Sequence, residues 1–136
     1  MTLVDIPTPW NDVEIEKLVD EAFASGRTKI RRSSMQIGEY NGFSREVRLE
    51  ADRKIKSALE LRLIPPATQC CICGKQEGRI DYHAEDYSRP FKVAPICQSC
   101  HLALHNRKRS PGYARSWEQR VKKQYGDGTK WFEFLD

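Results

Sequence analysis

At 136 residues the chain has the size of one ordinary domain. Its 39% hydrophobic and 31% charged residues make a balance typical of soluble proteins, and no apolar run approaches the ~20 residues of a membrane-spanning helix. A membrane protein of the helical kind is excluded, and a formal charge of +4 leaves room for an acidic partner without demanding one.

The opening stretch, MTLVDIPTPWNDVEIEKL, lacks both the basic start and the apolar core of a secretory signal, so a cytoplasmic chain with reduced thiols is expected. Residues 1–66 read as a helical support region. Asn11 followed by Glu14 forms a capping box, and Val13, Leu18, Val19, Ala22 and Phe23 give a first helix an apolar side before Gly26 ends it. From Arg27 to Phe43 the chain is basic and broken by Gly38 and Asn41-Gly42, the pattern of a loop or short irregular strands. Ser44 can cap a second helix with Val47, Ala51, Ile55, Ala58 and Leu59 at helical spacing, and Pro65-Pro66 stops it. That apolar stripe is core, not a partner surface.

Residues 67–110 form the next region, and every cysteine and histidine of the chain falls inside it, between Cys70 and His105. Two pairs stand out, Cys70-x-x-Cys73 followed by Gly74, and Cys97-x-x-Cys100. Each is a turn that lets two thiolates meet one ion, and two such turns supply the tetrahedral set that zinc prefers, here as a structural site. Cys71 is spare: it reads as a buried or loosely exposed thiol and not as a nucleophile. His101 and His105 are four residues apart, so on a helix both imidazoles leave one face and can hold a second divalent ion. The competing reading makes one of them a ligand of a single zinc, or a surface residue. His83 is the remaining histidine, and a strand leaving the first cysteine turn carries it toward the helix of His101 and His105.

Residues 111–136 read as a C-terminal helix and an aromatic tail. Tyr113, Trp117, Val121 and Tyr125 recur every four residues between Ser110-Pro111-Gly112 and Gly126, which predicts a basic-faced helix. Trp131, Phe132 and Phe134 follow, packed onto the domain rather than offered to nucleobases. Cationic residues cluster at 27–32 (RTKIRR) and at Arg107, Lys108 and Arg109, with Arg120, Lys122 and Lys123 beyond. They are either solvated surface or phosphate-neutralising groups. The whole is expected to be one domain, 1–136.

One segment carries a resemblance. His83-Ala84-Glu85-Asp86-Tyr87-Ser88-Arg89-Pro90, then Val93, then Ile96-Cys97-Gln98-Ser99-Cys100-His101-Leu102-Ala103-Leu104-His105 resembles the HNH endonucleases with a cysteine-bound zinc. Their phage and bacterial members often show H-H-x-D-Y-S-x-P, a short hydrophobic stretch, then L-C-x-x-C-H and a later histidine. The match covers roughly a third of the chain.

The resemblance implies an α+β fold: a small zinc-stapled ββα-metal core with zinc-ribbon or rubredoxin-like knuckles, flanked by helices. It also implies a metal-dependent nuclease acting on nucleic acid, DNA rather than RNA, with structural zinc and a second divalent ion that is zinc, magnesium or manganese. Arg89, Arg107, Lys108 and Arg109 flank the motif and are the expected phosphate contacts. Where the family has a second histidine as general base this chain has Ala84, and Lys92 or Val93 stands near the family's middle asparagine. Two arrangements restore a working set. His83 is the base, with Asp81, Glu85 or Asp86 joining His101 and His105 on the ion, or His83, His101 and His105 form a three-histidine site. A nuclease-derived zinc module that binds nucleic acid or protein without cleaving it is the alternative, and an unrelated zinc ribbon a third reading.

Overall fold

In a computed structural model of the chain, residues 2–4, 10–28, 37–126 and 129–131 are described, the first and last of these ranges by their backbone alone. Residues 29–32 of the first basic cluster, together with Phe132 and Phe134, lie outside the described residues. The architecture is mixed α+β, in the order β1 (Thr2–Val4), α1 (Asp12–Ala24), α2 (Arg45–Glu60), β2 (Ile80–His83), β3 (Ala94–Cys97), α3 (Gln98–Asn106), α4 (Pro111–Tyr125) and β4 (Thr129–Trp131). No described helix is long and apolar enough to cross a membrane. The chain divides into two compact units, one of residues 1–7, 67–83 and 94–136, the other of residues 8–66 and 84–93.

The helical unit is built from α1 and α2. Asn11 Oδ1 accepts from the Glu14 amide at 3.1 Å and Ser44 Oγ from the Val47 amide at 3.3 Å, so each helix begins where a side chain satisfies an orphan N–H. Both end in the same hydrogen-bonded turn. Gly26 takes a φ of 73° after α1, with the Arg27 amide donating to Ala22 O at 3.0 Å. After α2 it is Arg62, at φ 59°, that turns left-handed, and the Leu63 amide donates to Ala58 O at 2.9 Å. Helix α2 therefore stops before Pro65 is reached. Its buried side is Leu49, Ala51, Ser57 and Ala58, while Val47 is exposed. Lys54 Nζ joins α2 to α1 through Glu16 at 3.1 Å and Asp20 at 3.2 Å. Between the helices, Tyr40 and Phe43 exchange backbone hydrogen bonds across Asn41-Gly42, both at positive φ, which makes a tight two-residue turn.

Residues 84–93 belong to this helical unit. Phe91 is fully buried and its carbonyl accepts from Trp10 Nε1 at 2.9 Å. Glu85 is buried too. Its carboxylate accepts from Asn41 Nδ2 at 2.9 Å and from the Tyr40 hydroxyl, so the charge is desolvated but satisfied. Tyr87 packs edge-on against Phe43, with the Arg48 guanidinium 5.5 Å from its ring centroid.

The other unit contains β2, β3, α3 and α4. Strands β2 and β3 are antiparallel, with Ile80 opposite Cys97 and His83 opposite Ala94, and β3 runs directly into α3. Its core is a continuous cluster of Cys70, Ile72, Ala94, Ile96, Cys97, Cys100, Leu104, Trp117 and Val121. Ser110 and Pro111 are the N-cap and first turn of α4, where proline's missing N–H costs nothing. The backbones of β1 and β4 pair in parallel, Thr2 with Thr129 and Val4 with Trp131.

Candidate functional site

The two cysteine pairs converge. One sulfur from each of Cys70, Cys73, Cys97 and Cys100 lies within 4.8 Å of the others. The first pair sits on a turn closed by the Gly74 amide to Cys70 O at 3.0 Å, and Gly74 adopts the left-handed φ of 76° that lets the chain reverse. The second pair spans the start of α3: Cys97 ends β3 and is the helix N-cap, and Cys97 Sγ accepts from the Cys100 amide at 3.4 Å.

Four thiols cannot ionise side by side without a cation among them. Burial works against ionisation of Cys70, but amides of Cys73, Cys97 and Ile72 outweigh it and bring the thiol down to about 7. Cys100 is pushed up by burial, against which the Arg120 guanidinium works. Geometry tests the fit more directly. A tetrahedron with metal–sulfur bonds of about 2.3 Å has sulfur–sulfur edges of about 3.8 Å, and Cys73 Sγ lies 3.7 Å from Cys97 Sγ. The four cysteines can hold a metal ion. Cys71 stands apart: it is half-buried, its amide donates to Pro95 O at 2.8 Å, and burial raises its thiol to about 12.

The three histidines form a second cluster in the same unit. His83 ends β2 and is 2% exposed, whereas His101 and His105, one turn apart on α3, are half-buried. His83 Nδ1 lies 3.0 Å from His101 Nε2, and His105 Nε2 lies 2.9 Å from that same nitrogen. A neutral imidazole nitrogen is either a donor or an acceptor with one lone pair, so the His101 nitrogen cannot serve both neighbours well. A cation accepting three lone pairs resolves the conflict. Tetrahedral nitrogen–nitrogen edges at zinc are about 3.3 Å, so seating an ion spreads the rings by a few tenths of an ångström.

The carboxylates proposed for this cluster are engaged elsewhere. Asp81 Oδ2 pairs with Arg79 Nε at 2.8 Å, Glu85 is held by Tyr40 and Asn41, and Asp86 Oδ1 accepts from the Ser88 amide at 2.9 Å. Ala84 is buried and offers a methyl group alone. Of the cationic residues, Arg89 lies in the helical unit and forms a two-pronged pair with Asp12 at 3.0 and 2.9 Å. Arg107, Lys108 and Arg109 follow α3 directly. Arg107 Nη1 donates to Leu104 O at 2.8 Å, and the Arg109 guanidinium lies 5.7 Å from the Tyr113 ring centroid.

One residue at the cysteine cluster has no signal in the sequence beyond its charge. Arg120, from α4, places Nη1 3.2 Å from Cys100 Sγ and 3.2 Å from Ser99 Oγ. The chain matches no protein-family model, no curated protein and no solved structure.

Proposed function

We propose that the chain is an HNH-like, metal-dependent nuclease that hydrolyses phosphodiester bonds in nucleic acid, DNA in preference to RNA. In this reading Cys70, Cys73, Cys97 and Cys100 hold a structural zinc, and His83, His101 and His105 hold a second divalent ion, zinc, magnesium or manganese. The observation that carries it is the convergence of three imidazole nitrogens, one from β2 and two from α3, the helix that bears Cys100 and is capped by Cys97. Three neutral nitrogen donors favour zinc over magnesium and manganese, which prefer oxygen.

When bound, the second ion supplies Lewis-acid stabilisation of the negative charge that grows on the phosphate. The chain's own residues do the rest. His83, enclosed by the protein, offers Nδ1 from a fixed orientation, which favours its role as a ligand over that of a mobile base. His101 and His105 form the accessible side, from which a phosphodiester can approach. Arg107, Lys108 and Arg109 continue from the same helix and supply positive charge for the backbone. Arg89 contributes less, since its guanidinium already neutralises Asp12.

Ala84 supports a second reading, in which the module binds nucleic acid or protein without cleaving it, because a buried methyl group accepts no proton. Single-turnover nicking of labelled duplex with added magnesium, manganese or zinc separates the two. The nuclease reading expects cleavage that chelator and His101→Ala both abolish. Binding that weakens steeply with salt, without cleavage under any ion, supports the binding module instead.

A further inference from the structure

A four-thiolate site around a divalent ion carries a formal excess of two negative charges, and three of its sulfurs are buried. Such charge persists out of water only when hydrogen-bond donors face it. Cys70 Sγ meets the amides of Ile72 at 3.4 Å and Cys73 at 3.5 Å, and Cys97 Sγ meets the amide of Cys100 at 3.4 Å. Cys73 is exposed to solvent. Cys100, fully buried, is met by a charged side chain from another helix, Arg120 Nη1 at 3.2 Å. The same nitrogen reaches Ser99 Oγ, which fixes the guanidinium over the first turn of α3. Trp117 and Val121, on either side of Arg120 along α4, are buried in the cluster that contains Cys70, Cys97 and Cys100, so the helix holding the arginine is anchored in the metal core.

We propose that Arg120 is a positioning residue for the cysteine site: its guanidinium donates to Cys100 Sγ, neutralises part of the excess charge and thereby ties retention of the metal to the docking of α4. The proposal rests on metal binding by the four cysteines.

The test uses the full chain loaded with cobalt(II), whose sulfur-to-metal charge-transfer bands report the electron density on the thiolates. A hydrogen bond lowers the energy of the sulfur lone pairs, so Arg120→Met, which keeps an apolar stem, is expected to shift the bands to longer wavelength. Zinc transfer to a competing chelator should be at least about 10-fold faster, the range seen when outer partners of metal ligands are lost. Arg120→Gln, retaining an N–H without the charge, should fall between. Native bands and native release in both variants overturn the proposal. A measurement without substitution stands beside these: in the native chain loaded with cadmium-113, a guanidinium proton of Arg120 should show scalar coupling to the metal through Cys100 Sγ. Absence of that coupling, with Arg120 protons exchanging as fast as those of exposed Arg115, overturns it whether or not the variants fold. A native chain that takes up no cobalt, zinc or cadmium overturns the metal reading itself and is told apart by that result.

Discussion

Cys100 and His101 are neighbours in sequence that serve different clusters, because consecutive residues on a helix point about 100° apart. Cys100 turns into the core and His101 toward the more open side. Substituting them should therefore have separable effects. Cys100→Ser is expected to lower affinity for the structural ion by more than about 100-fold, beyond the loss caused by outer partners, and to unfold the unit around it; zinc content and thermal unfolding of the purified variant check this, and unchanged values in both contradict it. His83→Ala should leave that ion in place and weaken the second one together with activity. If His83 instead acts as a general base, metal is retained while the rate falls by roughly 10²–10⁴. At this scale the sequence was most informative: two Cys-x-x-Cys turns and a His-x-x-x-His spacing are short-range geometry, and the residues so identified are those that meet. The engagement of Glu85 was not readable, because Tyr40 and Asn41 are brought to it from 45 and 44 positions away, whereas Arg79 and Ser88 meet Asp81 and Asp86 from two residues away, as local turn and strand contacts do.

Helix starts followed the sequence closely. Asn11 and Ser44 each accept from the amide three residues on, a local interaction that the sequence announces, and Ser110, which the sequence offered only as a break, does the same. Ser44→Ala is accordingly expected to destabilise the helical unit by about 1 kcal/mol, measured as a lower urea midpoint with an unchanged slope; no shift would mean that solvent replaces the cap. Helix ends were less legible. Arg62 in a left-handed conformation closes α2, and nothing marks an arginine for that role, whereas Pro65-Pro66 begins three residues beyond it. The apolar stripe of α2 was likewise only partly right: Val47 faces solvent and Leu49 is buried. A helical wheel gives the spacing of an apolar face, whereas the packed neighbours decide where its edge falls.

At the scale of the whole chain, length suggested one compact body, whereas contacts divide the protein into two units whose sequences interleave. Residues 84–93 leave the cysteine-bearing unit after His83, and the chain returns to it at Ala94. Their attachments, Phe91 to Trp10, Arg89 to Asp12 and Glu85 to Asn41, span 44 to 81 positions in sequence, a range at which no periodicity helps. Each unit has buried apolar residues of its own, but only one has a core lined by the four cysteines that can hold a metal ion. Chelation should therefore speed amide hydrogen exchange across α3 and α4 while α1 and α2 keep their protection. Equal loss of protection in all four helices would show that the chain unfolds as one cooperative body.

The proposed nuclease requires two metal centres with different donors. The most direct test is metal content with absorption-edge fine structure on the zinc-reconstituted native chain and on a His101→Ala/His105→Ala variant. The expected result is two zinc ions per native chain, with a mixed sulfur and nitrogen shell, falling to one ion with four sulfur ligands in the variant. One zinc per chain in both proteins, with an unchanged shell, would contradict the second centre and with it the proposed nuclease.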